Sequence, residues 1–228
     1  MVKTAAPPSF TFGHYLEWEN RQPLRHEFIR GEVFAMTGAS DLHNELNGNL
    51  YTLLRQHLRG TECRVFMADV KLRVEAADCG FYPDLLVTCA ESDRADRHVK
   101  RSPVVVVEVL SASTAAFDIG EKFAAYRQLV SLREYVLVDQ ERIRIQVYRR
   151  LNEQWFVDSV GPGEQLRLES VGLKCPVERV YEAGERVLAH ACSFGRCWWI
   201  QAMASSTKVK TTGMTSRLRK VELIRPPM

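Results

Sequence analysis

Residues 104–110 read Val104-Val105-Val106-Val107-Glu108-Val109-Leu110. A β-branched run with no polar face belongs in the middle of a sheet covered on both sides. The carboxylate inside that run is therefore the anomaly. Burying it costs several kcal/mol unless a partner offsets its charge. A second acid stands at the edge of an apolar run in Phe81-Tyr82-Pro83-Asp84-Leu85-Leu86-Val87, and a lysine follows in Gly120-Glu121-Lys122-Phe123. Two carboxylates on adjacent strands make a site for a divalent metal.

The pattern around these residues is mixed. Tyr15 to Glu19 suggests one or two helical turns, and Arg30-Gly31 separates His26–Ile29 from Glu32–Met36 as a hairpin. Ser40 or Asp41 can cap a helix whose stripe is Leu42, Leu46, Leu50, Leu53, Leu54 and Leu58, with Gly60 ending it. Residues 64–74 read as one strand that alternates from Val70 onward, and the run beginning at Tyr82 and the Val104 run read as the next two. Ser113 or Thr114 can cap a helix with Ile119, Phe123, Tyr126 and Leu129 or Val130 on one face. Tyr135–Asp139 is a fifth strand, and Arg144–Tyr148 with Trp155–Val157 forms a further hairpin. The expected class is α/β, one mixed sheet flanked by helices, with an additional N-terminal hairpin and C-terminal hairpin.

At 228 residues and 46% hydrophobic, the chain suits one globular domain over residues 1–189 followed by an atypical tail over 190–228. The formal charge of +3 conceals a split: the tail carries seven Lys/Arg against Glu222 and is net +6, leaving the body at −3. Such a body offers no domain-wide field for nucleic acid, so contact must come from local patches. One is residues 89–102, with Arg94, Arg97, His98, Lys100 and Arg101. Ser/Thr and basic residues beyond 204 are expected to be disordered. The six cysteines follow no secretory h-region and are read as reduced, buried thiols of a cytoplasmic protein. His190, Cys192 and Cys197 match no paired zinc-ligand spacing. No stretch is long and apolar enough to span a bilayer, so no membrane partner is expected.

The element order brings the chemistry together. Asp84 starts one strand, Glu108 lies near the end of its neighbour, and the helix bearing Lys122 packs back over the sheet. Mg²⁺ suits one or two carboxylates plus waters and phosphate oxygens, and Mn²⁺ accepts similar ligands. A lysine beside it can orient a water or stabilise charge on phosphorus.

Several motifs in fixed order resemble the Uma2-type branch of the PD-(D/E)XK nuclease superfamily. They are Glu27 with Gly31-Glu32, His43, Ala68-Asp69-Val70-Lys71, Tyr82-Pro83-Asp84, Val107-Glu108-Val109-Leu110-Ser111, Asp118-x-Gly120-Glu121-Lys122 and Glu134 to Asp139. The resemblance covers roughly residues 14–185. It implies a restriction-endonuclease-like fold and a Mg²⁺-dependent endonuclease acting on nucleic acid, DNA in the first place. Asp84 and Glu108 would be metal ligands, and Lys122 the catalytic lysine. Leu110 occupies the usual lysine position, two residues after the acid, so Lys122 is a migrated replacement on the following helix. Ala112 stands where relatives tend to carry proline.

Each accessory residue has two readings. Glu27 assists the metal or is an exposed strand acid, and His43 contacts phosphate or is structural. Asp69 is a distant ligand or, preferably, half of a salt bridge. Asp118 and Glu121 complement a helix dipole. A non-catalytic binding or assembly module on the same fold is the rival function, and a small-phosphoester hydrolase a lesser one. Cutting both strands of a duplex needs two sites, so a homodimer is expected, with the edge of the 144–157 hairpin as a candidate interface.

Overall fold

The computed structural model describes residues 2–4, 10–36, 38–112 and 114–182. The tail with its Trp pair, the His190/Cys192/Cys197 group and the Ser113 cap lie outside the described residues. Strand β1 (Val2–Thr4) and helix α1 (Phe12–Glu19) precede the hairpin β2 (His26–Ile29) and β3 (Glu32–Ala35). Its turn places Arg30 and Gly31 at φ of 49° and 84°, the left-handed pair that matches strand twist in a two-residue hairpin. Helix α2 (Asp41–His57) is capped by the Ser40 hydroxyl, which accepts from His43 N–H, and buries the expected leucine stripe.

The 64–74 segment is not one strand. Asp69 adopts φ 75°, and the chain divides there into β4 (Arg64–Met67) and β5 (Lys71–Val74), which enter different sheets. The run beginning at Tyr82 is a strand only from Leu85 onward, as β7 (Leu85–Thr88); β6 (Cys79–Phe81) precedes it in the other sheet, and Tyr82-Pro83-Asp84 crosses between the two. After α3 (Ser92–Ala95) come β8 (Val99–Lys100), β9 (Pro103–Leu110), the helical turns α4 (Ala115–Phe117) and α5 (Phe123–Tyr126), and then β10 (Glu134–Asp139). Strands β11 (Ile145–Leu151), β12 (Gln154–Val160), β13 (Gln165–Leu168) and β14 (Leu173–Pro176) follow.

The expected single sheet is therefore two. One has order β1-β3-β2-β6-β5-β8, the other β12-β11-β10-β9-β7-β4, and β13-β14 is a separate hairpin. The N-terminal hairpin belongs to the first sheet, and the 144–157 hairpin extends the second. Strand β9 is central, parallel to β10 and antiparallel to β7. One face of its sheet packs on α2 and the β13-β14 hairpin; the other shares a core with β5, β6 and α5.

Helix α1 closes the outer face of the first sheet through Tyr15, Phe28 and Phe10. Phe12 lies directly over Gly80: a Cβ there would sit 2.5 Å from the ring. The ring is also held by Tyr15, Phe28 and the Arg73 guanidinium. Gly80→Ala is expected to lower stability by about 1–3 kcal/mol through overpacking, measured by urea denaturation. An unchanged midpoint would show that α1 can shift freely.

The thiols differ from expectation in one pair. Cys63 and Cys89 flank β4 and β7, whose register pairs Arg64 with Thr88, and they form a disulfide one step beyond it. Cys79 and Cys175 are buried and free. No helix among the described residues is long and apolar enough to cross a membrane.

Candidate active site

The β7–β9 register pairs Leu85 with Val107, and one further step sets Asp84 opposite Glu108. Both acids open into a cleft of about 830 Å³ at the end of the sheet, between the start of α2 and the turns after β9 and β10. Asp84 Oδ2 accepts from Val109 N–H at 2.7 Å and lies 3.2 Å from His43 Nε2. Asn47, one turn along α2 from His43, donates to the Asp84 carbonyl at 3.3 Å. Burial works against a charged His43, yet the bond to Asp84 outweighs it and raises the imidazole above its ordinary range.

Glu108 is 3% exposed, and its Oε1 accepts from Lys122 Nζ at 3.2 Å and from the Tyr126 hydroxyl at 2.9 Å. Lys122 is itself buried and pairs with Glu27 Oε1 at 3.0 Å and Asp118 Oδ1 at 3.3 Å. Neither of those two oxygens has a hydrogen bond of good geometry. Three buried carboxylates thus share one ammonium. Burial, reinforced by neighbouring acids, lifts Glu108 well above the carboxylate range, and burial lifts Glu27 as well. For Lys122 burial opposes the charge, but the three acids together raise its affinity for the proton.

A π-helical turn over Asp118–Lys122 joins α4 to α5 and makes this arrangement possible. A wider turn adds a residue to the helix and rotates the face that follows it. Asp118 and Lys122 are consequently buried, while Ile119 is 43% exposed, contrary to its place in the expected stripe; Tyr126 and Leu129 are buried as expected. The Tyr135 hydroxyl holds the start of the turn by donating to the Asp118 carbonyl at 2.9 Å.

Of the residues singled out in the sequence, Glu27, His43, Asp84, Glu108 and Lys122 meet in this cleft. Glu27 is 2% exposed, which overturns its reading as an exposed strand acid. Asp69 lies apart, in an exposed 2.9 Å ion pair with Arg25. Asp118 opens the π-helical turn and is also a buried partner of Lys122, whereas Glu121 is exposed. Asn47 and Tyr126 were not singled out as site residues. Asn47 lies at i+4 from His43, a spacing that marks one helix face.

The basic 89–102 segment is mostly occupied with itself. Lys100 Nζ donates to the carbonyls of Asp93 and Asp96, Arg101 pairs with Asp96 at 3.0 Å, and Arg94 donates to the Glu62 carbonyl at 2.9 Å. Burial opposes ionisation of Asp96, but the His98 and Val99 N–H groups and Arg101 prevail and pull its carboxyl down to about 2. A depressed carboxylate stabilises the fold above its unfolded value and loses that effect as pH falls through its folded one. Asp96→Asn is therefore expected to destabilise at neutral pH, with the deficit shrinking from about 3.8 toward about 2. Denaturation across that interval tests it; a deficit independent of pH would exclude the carboxylate as its source.

Comparison with known proteins bears on the family and the fold. Residues 12–178 match the model of the family described as "Uma2: Putative restriction endonuclease". Two proteins of Synechocystis sp. are similar. "Uncharacterized protein slr1290" is 34% identical over 76% of this chain and 92% of its own length, and "Uncharacterized protein sll1609" is 33% identical over 74% and 97%. A crystal structure from Anabaena variabilis, titled a putative nuclease belonging to DUF820, superposes with TM-score 0.64 at 14% identity, covering 75% of this chain and 97% of that one. At that identity the likeness is one of fold. With the family pattern running from α1 to the turn after β14, the chain belongs to the Uma2 family.

Proposed function

We propose that the protein is a Mg²⁺-dependent endonuclease that hydrolyses phosphodiester bonds in DNA. The observation that carries this reading is the charge of the cleft floor, where Glu27, Glu108 and Asp118 surround Lys122 alone. When all three acids ionise, two buried negative charges are left over; one divalent cation would balance them and favour the ionised forms that burial alone disfavours.

The donor set fits such an ion. Among the described residues, Asp84 Oδ1 and Glu108 Oε2 accept no hydrogen bond, while the other oxygen of each is fixed by Val109 and His43, or by Lys122 and Tyr126. Among the described residues no group of three or more His, Cys, Asp or Glu side chains is placed to hold a metal ion together. Mg²⁺ needs only one or two carboxylates, since waters and substrate oxygens complete its shell. Asp84 and Glu108 would hold it, with Mn²⁺ as a substitute. When bound, the ion polarises a phosphoryl oxygen and lowers the pKa of a coordinated water. Lys122 keeps a fixed positive charge where negative charge builds on phosphorus. His43 and Val109 fix the direction of the Asp84 carboxylate, and Asn47 steadies its backbone.

Binding Mg²⁺ to the folded chain is expected to raise its stability, by about 2.7 kcal/mol at a hundred times the dissociation constant. Calorimetric titration and thermal unfolding of the parent and Asp84→Asn check this. Equal Mg²⁺ affinity in the two proteins would remove Asp84 from the ligand set. For cleavage of both strands we propose a homodimer; β12, the outer strand of its sheet, offers an edge for pairing. Light scattering across a concentration series measures it.

A further inference from the structure

We infer that Arg142 and Arg144, on the turn after β10, are the residues that grip the nucleic-acid backbone beside the scissile phosphate. This rests on the nuclease reading above. Both arginines line the same cleft as Asp84, Glu108 and Lys122. They converge on one oxygen: Asp139 Oδ2 accepts from Arg142 Nε at 2.8 Å and from Arg144 Nη2 at 3.1 Å. Among the described residues the terminal nitrogens of Arg142 donate no hydrogen bond, and Arg144 Nε is buried without a partner. The Arg142 side chain is 64% exposed and that of Arg144 38%. Two guanidinium groups are thus oriented by one carboxylate; the terminal nitrogens of Arg142 and the Nη1 of Arg144 make no hydrogen bond among the described residues, while the buried Arg144 Nε is out of a ligand's reach.

The turn that carries them is built to stay in place. Asp139 Oδ1 accepts from Glu141 N–H at 3.0 Å. The Tyr181 hydroxyl lies 2.9 and 3.0 Å from the Asp139 and Arg144 carbonyls and accepts from Arg144 N–H. Gln140 donates to the Leu110 carbonyl at 2.6 Å and accepts from Ser40, tying the turn to the end of β9 and to the start of α2. A binding surface rigid before the ligand arrives loses little entropy on binding. Asp139 and Glu141 balance the two arginines in formal charge, so the turn offers directed N–H donors rather than a broad positive field. Planar guanidinium donors match the oxygens of a phosphodiester in two-point fashion, which a lysine cannot do. The carboxylates on the floor repel phosphate unless a cation is present, so an anionic ligand that reaches both the metal and the arginine rim suits this cleft. A polynucleotide strand does both.

The test uses the full chain, a short fluorescent DNA duplex and Mg²⁺, comparing the parent with Arg142→Ala, Arg142→Lys and Arg144→Ala. Each alanine variant is expected to raise KM by about tenfold, far more than it lowers kcat, and to reduce the slope of log affinity against log salt by about 0.9 per lost phosphate contact. Arg142→Lys should recover the slope without recovering the full affinity. Thermal midpoints confirm that the variants fold. A parent that cleaves while all three variants keep its KM and salt slope overturns the inference and leaves the nuclease reading standing. A parent that binds without cleaving, with binding lost in both alanine variants, supports the grip on the backbone and sinks the nuclease reading, and with it the place beside a scissile phosphate. A parent that neither binds nor cleaves overturns both.

Discussion

Lys122→Met is expected to destabilise the protein by about 3–5 kcal/mol, a large part of the about 5–15 kcal/mol that holds a typical domain together. Methionine retains much of the stem and removes only the charge. Glu27, Glu108 and Asp118 would then face one another without a cation, each of them at most 3% exposed. The loss is thus an uncompensated buried charge, not a cavity. The three acids raise the proton affinity of Lys122 above the ordinary lysine range, so its charge persists at neutral pH and is lost only at strongly alkaline pH. Adding Glu27→Gln to Lys122→Met should return part of the loss, since one repelling charge disappears with the volume kept. Urea denaturation of the two variants measures both effects. A loss below about 1 kcal/mol for Lys122→Met, within the range of an ordinary surface ion pair, would contradict the role given to the ammonium.

Asp84→Asn and Glu108→Gln are each expected to reduce metal-dependent cleavage by at least about 10³-fold, equivalent to about 4 kcal/mol of transition-state stabilisation. The two differ from Lys122→Met in leaving the fold intact. An asparagine Oδ1 can still accept from Val109 N–H, and a glutamine Oε1 can still accept from Tyr126 and Lys122. Glu108→Gln should even raise the stability of the metal-free protein, because it removes one of three carboxylates crowded around a single cation. Gained stability with lost activity is the signature of a site strained for function. Lost stability in Glu108→Gln would mean that its charge serves the fold.

The centre of this structure was legible because it depends on local chemistry. The Val104 run could only be a central strand, and an acid in it needed a partner; β9, Glu108 and the Lys122 contact follow. Leucines at helical spacing and Ser40 before them sufficed for α2. The second sheet was not legible, because no Gly or Pro separates residues 64–67 from the alternating stretch that starts at Val70, and only a positive φ at Asp69 divides them. Nor was the π-helical turn, since a 3.6-residue period was assumed and a single added residue moves Ile119 outward and Asp118 inward. The Cys63–Cys89 pairing depends on the β4–β7 register, a long-range contact that composition does not carry.

Cleavage of plasmid and single-stranded DNA with Mg²⁺, Mn²⁺ or EDTA, by the parent and by Asp84→Asn, Glu108→Gln and Lys122→Ala, tests the central claim most directly. Cutting by the parent that requires metal, stops with EDTA and disappears in all three variants is the predicted result. A parent that cuts nothing under any of these conditions, with metal binding indifferent to Asp84→Asn, would contradict it and leave a binding module on a nuclease-like fold.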